Sequence, residues 1–486
     1  MGSRGADEPD HGALTCLTDC TDINSSRLNK DVLMTATHEM TPPTQKRNQR
    51  RVAFASLIGT TIEWYDYFTY STAAALVFAQ LYFALAGEGV GQLLAFATIG
   101  ISFLFRPVGA FLSGHFGDKL GRRFILVVTL VTMGVATALI GLIPTYETIG
   151  VTAPVLLILL RILQGLSAGG EWGGAALLAV EHADSDKRGR AGSYPQLGVP
   201  LGMLLSSGVI ALMTGVISPG EAFVEWGWRV PFLLSVVLIG VGYWVRRSVE
   251  DTPVFKEIQV ESAKRKAPIL VLFKRHLPLV IVAALIFAGN NASGYMTTGG
   301  FVTKYATTDG VGFSQTDVLL AITFGSFVWL VSTAVSGYLA DRIGRVRTYV
   351  CGFVILIATA FPLFWLIDTG SLGLMYLALG IFSIGLGLSY GPQAALYVEL
   401  FPASIRFSGV AISYALGAVI GGAFAPTIAQ ALLQATGTTA SVSIYLVGMS
   451  VISLVAVSLV KDRKGIDLSV GNEAEQTRGV WRGGRR

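Results

Sequence analysis

Charge is what this sequence has least of. Asp, Glu, Lys and Arg make up 14% of its 486 residues, against about 25% in soluble domains, which excludes an ordinary water-facing surface. Histidine occurs five times and never in an H-E-x-x-H pattern, and His115 and His182 are too isolated for a zinc site. The three cysteines, Cys16, Cys20 and Cys351, cannot build a disulfide framework. No G-x-x-x-x-G-K-[ST] loop is present to cradle a nucleotide, which argues against direct ATP drive. Gly165-Leu166-Ser167-Ala168-Gly169 spells G-x-S-x-G, but that elbow needs a strand–turn–helix setting and here lies in an apolar stretch. No enzymatic constellation, cofactor site or nucleic-acid surface is left to expect. A polytopic membrane enzyme or sensor would need a catalytic cluster or a soluble domain, and neither is found.

What the chain does have is apolar length. Residues AVILMFWYC make up 52%, and twelve runs lie near 53–79, 90–114, 124–143, 152–180, 190–215, 228–246, 277–302, 314–339, 348–367, 372–398, 407–433 and 440–460. Roughly 20 apolar residues span a bilayer as a helix. The runs do not alternate at period two, so a barrel is excluded, and the 57 glycines fall largely inside them, as membrane helices allow. The cations cluster in alternate loops, for example Arg47, Arg50 and Arg51, then Lys119, Arg122 and Arg123, then Lys187, Arg188 and Arg190, then Arg342, Arg345 and Arg347. The opposite loops hold mainly Glu88, Glu147, Glu221, Glu225, Asp309 and Asp368. An excess of cations marks the cytoplasmic side. The expectation is a multi-pass protein of the cell membrane with both termini in the cytoplasm.

The runs divide into two similar sets. Gly114-His115-Phe116-Gly117-Asp118-Lys119-Leu120-Gly121-Arg122 returns 223 positions later as Gly337-Tyr338-Leu339-Ala340-Asp341-Arg342-Ile343-Gly344-Arg345, both reading G-x-x-x-D-x-x-G-R. Glu181 before Arg190 is echoed by Glu399 before Arg406, and Gly198-x-x-x-Gly202 by Gly417-x-x-x-Gly421. Such glycine spacing strips one helix face and lets a neighbour approach closely. The organisation expected is a disordered tail (1–50), a six-helix bundle (51–246), a polar linker carrying a surface helix (247–276), a second bundle (277–461) and a tail (462–486) that reads as unstructured after Lys464. Met34 and Met40 offer later translation starts. Asp118 and its copy Asp341, with Arg122 and Arg345, are candidate gate residues, because such an aspartate can accept hydrogen bonds from a neighbouring helix N-terminus.

Five ionisable residues fall inside spans: Glu63, Asp66, Arg106, Arg161 and Glu171. At about 1.5 Å of rise per residue, all but Arg161 lie close to the middle of a core about 30 Å thick. Glu63 and Asp66 are three apart and can share one side of a helix. These groups either tie helices together or handle substrate and proton. In the second role a carboxyl group, Glu63 or Asp66, is suited to carry a proton, with Arg161 and Glu171 contributing. Arg106 keeps its charge and is suited to anchor a carboxylate, or to rest against a helix-1 acid.

The chain resembles the major facilitator superfamily through the two cassettes and through Arg161-Ile162-Leu163-Gln164-Gly165. More narrowly it resembles that family's metabolite:proton symporter branch, which includes shikimate, 2-oxoglutarate, citrate and proline/betaine permeases. The strings that carry this are Ile62-Glu63-Trp64-Tyr65-Asp66-Tyr67, Phe105-Arg106-Pro107-Val108-Gly109, Gly169-Gly170-Glu171-Trp172-Gly173-Gly174 and Glu399-Leu400-Phe401-Pro402. The likeness is nearest to shikimate permeases, through Ala175-Ala176-Leu177-Leu178 and Trp226-Gly227-Trp228-Arg229-Val230-Pro231-Phe232. The resemblance implies an all-α protein of twelve transmembrane helices in two pseudo-symmetric bundles, with helices 1, 4, 7 and 10 lining a central cavity. Trp64 and Tyr67 from helix 1, Asn290, Asn291 and Tyr295 from helix 7, and Tyr390 and Gln393 from helix 10 then join Arg106 as substrate-binding candidates. The expected activity is proton-driven symport of a small organic acid by a monomer, with a proline/betaine osmolyte carrier as the alternative.

Overall fold

A computed structural model describes residues 42–247 and 268–482, except for the single positions 121, 170, 182, 299 and 309. The expected tail up to residue 41 and most of the linker therefore lie outside the described residues. Twelve long helical elements run through the rest: α1 (Pro42–Ala73), α2 (Glu88–Leu120), α3 (Arg122–Leu142), α4 (Thr152–Ala168, extended by Glu171–Glu181), α5 (Arg188–Leu212), α6 (Arg229–Arg247), α7 (Leu277–Thr298), α8 (Gln315–Ile343), α9 (Arg345–Ile367), α10 (Leu372–Tyr390, extended by Gln393–Leu400), α11 (Arg406–Ala418, resumed at Ala425–Thr436) and α12 (Thr439–Leu459). Ten of them are long and apolar enough to cross a membrane, and α3 adds the shorter apolar stretch Val127–Leu142. Helices satisfy their own backbone groups, which lipid demands. Large apolar side chains such as Val236, Val237, Trp365 and Val455 point outward, as a lipid-facing surface requires. Among the described residues there is no strand ladder, only an isolated bridge between Val460 and Trp481.

The two halves are wired alike. In the first, α2 packs on α4, and α3 packs on α4 and α6; in the second, α8 packs on α10, and α9 packs on α10 and α12. The echoed glycine pairs make equivalent joints. A Cβ on Gly202 of α5 would lie 2.8 Å from the Thr61 carbonyl oxygen of α1, and one on Gly421 of α11 would lie 2.0 Å from the Ala288 carbonyl oxygen of α7. Only glycine lets these backbones come so close. The same device brings α2 against α4, where a Cβ on Gly165 would lie 2.1 Å from the Ser102 carbonyl and one on Gly169 would lie 2.0 Å from the Arg106 carbonyl. This contact fixes the height of both buried arginines.

Two expectations need correction at the ends. Helix α1 begins at Pro42, so residues 42–50 are helical rather than part of a disordered tail. The segment after Lys464 is folded, with a 3-10 turn at Val470–Asn472, a helical turn at Glu473–Thr477 and buried Gln476 and Val480. Within the expected linker, Pro268–Arg275 forms a short helix that buries Leu272 and ends on Lys274 and Arg275.

Candidate functional site

Glu63 on α1 and Arg106 on α2 form an ion pair, Oε1 to Nη2 at 3.1 Å, with both side chains under a tenth exposed. The guanidinium carbon lies 4.5 Å from the centre of the Phe103 ring and 5.4 Å from that of Trp64, so aromatic faces support the cation. Trp64, Tyr67 and Phe103 pack edge to face beside it. Glu63, Asp66, Tyr67, Arg106, Arg161 and Gln164 border a small cavity of about 20 Å³ within the first half, room for about one water. Two desolvated charges in contact roughly balance burial cost against attraction, but removing one partner costs about 3–5 kcal/mol.

Asp66 borders the same cavity, yet its bonds run elsewhere. Its carboxylate accepts hydrogen bonds from Thr137 Oγ1 on α3 at 2.9 Å and from Ser235 Oγ on α6 at 2.5 Å. Gln164 Nε2 donates to Thr137 Oγ1 at 2.7 Å, and Arg161 Nη1 donates to Gln164 Oε1 at 2.7 Å. Arg161 is held further by the Thr98 and Ile99 carbonyls and Ser102 Oγ, and its guanidinium carbon lies 3.9 Å from the Tyr70 ring centre. The first half thus contains a direct ion pair, Glu63–Arg106, and a relayed one in which Gln164 and Thr137 stand between Arg161 and Asp66. Sequence reading missed Thr137, Ser235 and Ser102. Gln164, three residues after Arg161, was findable from helical spacing.

The second half contributes amides and rings. Asn290 Nδ2 donates to the Leu386 carbonyl at 3.0 Å and to Ser389 Oγ at 2.7 Å, which ties α7 to α10. Asn291 is buried with an unpartnered Nδ2 among the described residues. Gln196 on α5 joins the halves: its Nε2 donates to the Tyr390 carbonyl at 3.1 Å and lies 3.3 Å from Gln393 Oε1, while its Oε1 accepts from Trp172 Nε1 at 2.7 Å. Trp172 stacks on Tyr414 of α11 at 3.8 Å and 9°, Tyr414 on Phe287 at 4.6 Å, and Phe287 on Tyr390 at 6.0 Å. The stack carries ring contact from the first half into the second. The side chains of Glu171 and Tyr295 lie outside the described residues.

The second cassette lies at helix ends that also hold the C-terminal segment. The side chains of Asp118 and Arg122 lie outside the described residues, but the second copy is clear. Asp341 Oδ1 accepts from the Gly189 backbone N–H at 2.7 Å and Oδ2 from that of Arg190 at 2.9 Å. These are free donors of the first turn of α5, where a carboxylate is favoured. Arg345 grips Glu399 with two bonds, Nε to Oε2 at 3.1 Å and Nη2 to Oε1 at 3.0 Å, and sits 3.3 Å from Asp341. The echoed acids pair crosswise: Glu181 of the first half takes Arg406 at 2.8 Å, and Glu399 of the second lies 4.0 Å from Arg188. At the opposite end the halves also touch, through Thr316 to Thr214 at 3.1 Å and Gln434 to the Gly89 carbonyl at 3.1 Å.

Two alike-wired sets of six helices, with a buried ion pair and a small cavity in the first, fit a membrane transporter. The chain belongs to the Major Facilitator Superfamily, whose family model matches residues 56–426. It is 38% identical over 425 residues to the inner membrane metabolite transport protein YhjE of Escherichia coli K12, covering 87% of this chain and 96% of that one. It is also 38% identical over 426 residues to the shikimate transporter of the same organism, covering 85% and 94%. In fold it matches the proton:xylose symporter XylE with a TM-score of 0.68 at 16% identity, over 89% of this chain and 99% of that one. The protein is therefore a multi-pass membrane transporter and not an enzyme.

Proposed function

We propose that this transporter couples inward proton movement to uptake of a small carboxylate-bearing metabolite, a cyclic hydroxy acid foremost, across the cytoplasmic membrane by alternating access. The observation that carries the reading is the buried Glu63–Arg106 pair bordering a small cavity of the first half. The pair is neutral as it stands. A substrate carboxylate that takes Arg106 by a two-point contact leaves Glu63 facing a second anion in a dry site. A proton on Glu63 restores neutrality, so one carboxylate and one proton travel together. Trp64, Tyr67 and Phe103 supply flat apolar walls for a ring. Asn291, Tyr390 and Gln393 supply amide and hydroxyl groups from the opposite half. Asp66, with its relay to Arg161, is a second proton-holding position. The similarity to a shikimate transporter supports the substrate class.

On this reading the cassette face is cytoplasmic, consistent with its crowd of arginines. Asp341 and Arg345, with Asp118 and Arg122 in the first copy, then form the cytoplasmic gate. Both termini lie in the cytoplasm, and the unit works as a monomer without a cofactor.

The test is uptake into proteoliposomes with an imposed pH gradient, using labelled cyclic hydroxy acids, di- and tricarboxylates, and proline or betaine. A cyclic hydroxy acid accumulates only with the gradient and alkalinises the outside. Glu63→Gln abolishes gradient-driven accumulation while leaving exchange. Accumulation of betaine or proline alone overturns the substrate class, and transport without external alkalinisation overturns symport.

A further inference from the structure

The C-terminal segment has little apolar matter to bury, yet it is built into the cassette face. Lys461 N–H donates to the Val480 carbonyl and Arg482 N–H to the Leu459 carbonyl, each at 2.8 Å, closing the segment into a loop. Arg463 organises the inside of this loop, donating to the carbonyls of Gln476 at 2.5 Å, Glu475 at 2.7 Å and Arg478 at 3.1 Å. Gln476 is 1% exposed, and its Oε1 accepts from the Ala403 N–H at 2.8 Å and from Arg406 Nη2 at 2.9 Å.

The loop bonds to both halves. From the first, Arg188 Nη1 donates to the Ile466 carbonyl at 2.5 Å. From the second, Arg406 Nη1 donates to the Leu468 carbonyl at 3.1 Å, and Val346 N–H donates to Asp462 Oδ2 at 3.2 Å. Lys464 Nζ donates to the carbonyl of Asp341, the residue that caps α5 of the first half. Hydrogen bonds from Ser469 hold the Asp467 carboxyl below its ordinary range, and Arg188 and Arg406 lower it further.

Charge balance explains why such a loop is needed. Arg188, Arg345, Arg406 and Arg463 are all buried here, against the buried acids Asp341 and Glu399 and the partly exposed Glu181. Arg188 also sits at the N-terminus of α5, where a cation is disfavoured. Its Nε has no hydrogen-bond partner among the described residues. Carbonyls of the loop supply negative dipole ends that the carboxylates do not. When the halves part on this face, Arg188 and Arg406 move with different halves, and one short loop cannot hold both.

We propose that residues 461–482 are an intramolecular latch that bonds across Arg188 of the first half and Arg406 of the second, and so favours the state closed on the cassette face. Its bonds to both halves exist together only in that state, so they shift the equilibrium toward it. The latch rests on the alternating-access reading given above, and sets a resting state that waits for substrate from the far side.

The test reads access and needs no substrate or proton gradient, so its failure is distinguishable from failure of the symport reading. The full chain carries Cys16→Ser, Cys20→Ser and Cys351→Ser, with one reporter, Ser193→Cys, on the α5–α8 seam against Gly337. A membrane-impermeant maleimide is offered from the cassette side. Ending the chain after Lys464 is expected to raise the labelling rate by at least about tenfold, the size of one to two lost net hydrogen bonds. Gln476→Ala, which leaves the fold of the spans untouched, raises it about threefold by the same reasoning. Asp341→Asn also raises it and shows that the reporter senses opening. The latch is overturned if Asp341→Asn speeds labelling while Gln476→Ala, and the truncated chain where it inserts, label at the parent rate.

Discussion

The two halves share a wiring plan but not a chemistry. Inside its spans the first half holds Glu63, Asp66, Arg106 and Arg161, all buried. The second half offers Asn290, Asn291, Tyr390, Gln393 and Tyr414 at its inner faces, with no charged residue in the body of α7 or α12. At the cassette face the described ionic ties lean the other way, with Asp341, Arg345, Glu399 and Arg406 all from the second half. Duplication therefore preserved how helices approach one another and left charge free to specialise. One half buries its ionic groups inside the spans, and the other places amides and rings there and supplies most of the described ionic ties at the cassette face.

The largest expected effect breaks the ionic side of that comparison. Arg106→Ala leaves Glu63 as a buried, uncompensated charge, at a cost of about 3–5 kcal/mol, and removes the proposed carboxylate anchor. Uptake in vesicles is expected to fall below detection. Arg106→Lys keeps the charge but loses the flat two-point grip, so uptake should fall by about tenfold or more. Normal uptake by either variant removes Arg106 from the anchor role. The neutral side answers differently: Asn291→Ala, with no ion to strand, should weaken apparent affinity by about tenfold at most, the worth of one hydrogen bond.

Next in size is a test of the shared wiring. The added methyl of Gly421→Ala meets the Ala288 carbonyl at 2.0 Å, whereas that of Gly202→Ala meets the Thr61 carbonyl at 2.8 Å. Overpacking of this kind costs about 1–3 kcal/mol. Both variants should lower the unfolding temperature in detergent, Gly421→Ala by more. Equal melting of both variants and the parent would mean that these crossings relax freely and are not the fixed joints of each half.

Much of this plan is legible in the sequence because the bilayer leaves few choices. Apolar length gives the spans, and Gly198-x-x-x-Gly202 with Gly417-x-x-x-Gly421 gives the two matching close crossings. Arg161 and Gln164 lie one helical turn apart and bond as that spacing suggests. Partners distant in sequence are the illegible part. Nothing near Asp66 announces that Thr137 and Ser235 take both its oxygens. Asn290 looks available for substrate from its helix face, but it spends its amide on Leu386 and Ser389. The C-terminal segment reads as unstructured because its composition is poor in apolar residues, and the arginines that hold it lie at Arg188 and Arg406.

The smallest expected effect concerns a place where the halves meet through rings. Trp172 and Tyr414 lie nearly parallel at 3.8 Å, and such a pair is worth about 0.5–1.5 kcal/mol beyond its buried area. Trp172→Leu removes the ring and the donor to Gln196, so the closed state should lose up to roughly tenfold in population, read as faster maleimide labelling at the seam. Tyr414→Phe keeps the stacked face and should label at close to the parent rate. If the two variants label equally fast, the hydroxyl of Tyr414 matters as much as its ring. The contact between the halves would then be polar at its centre, extending the Gln196 link to the Tyr390 carbonyl and Gln393.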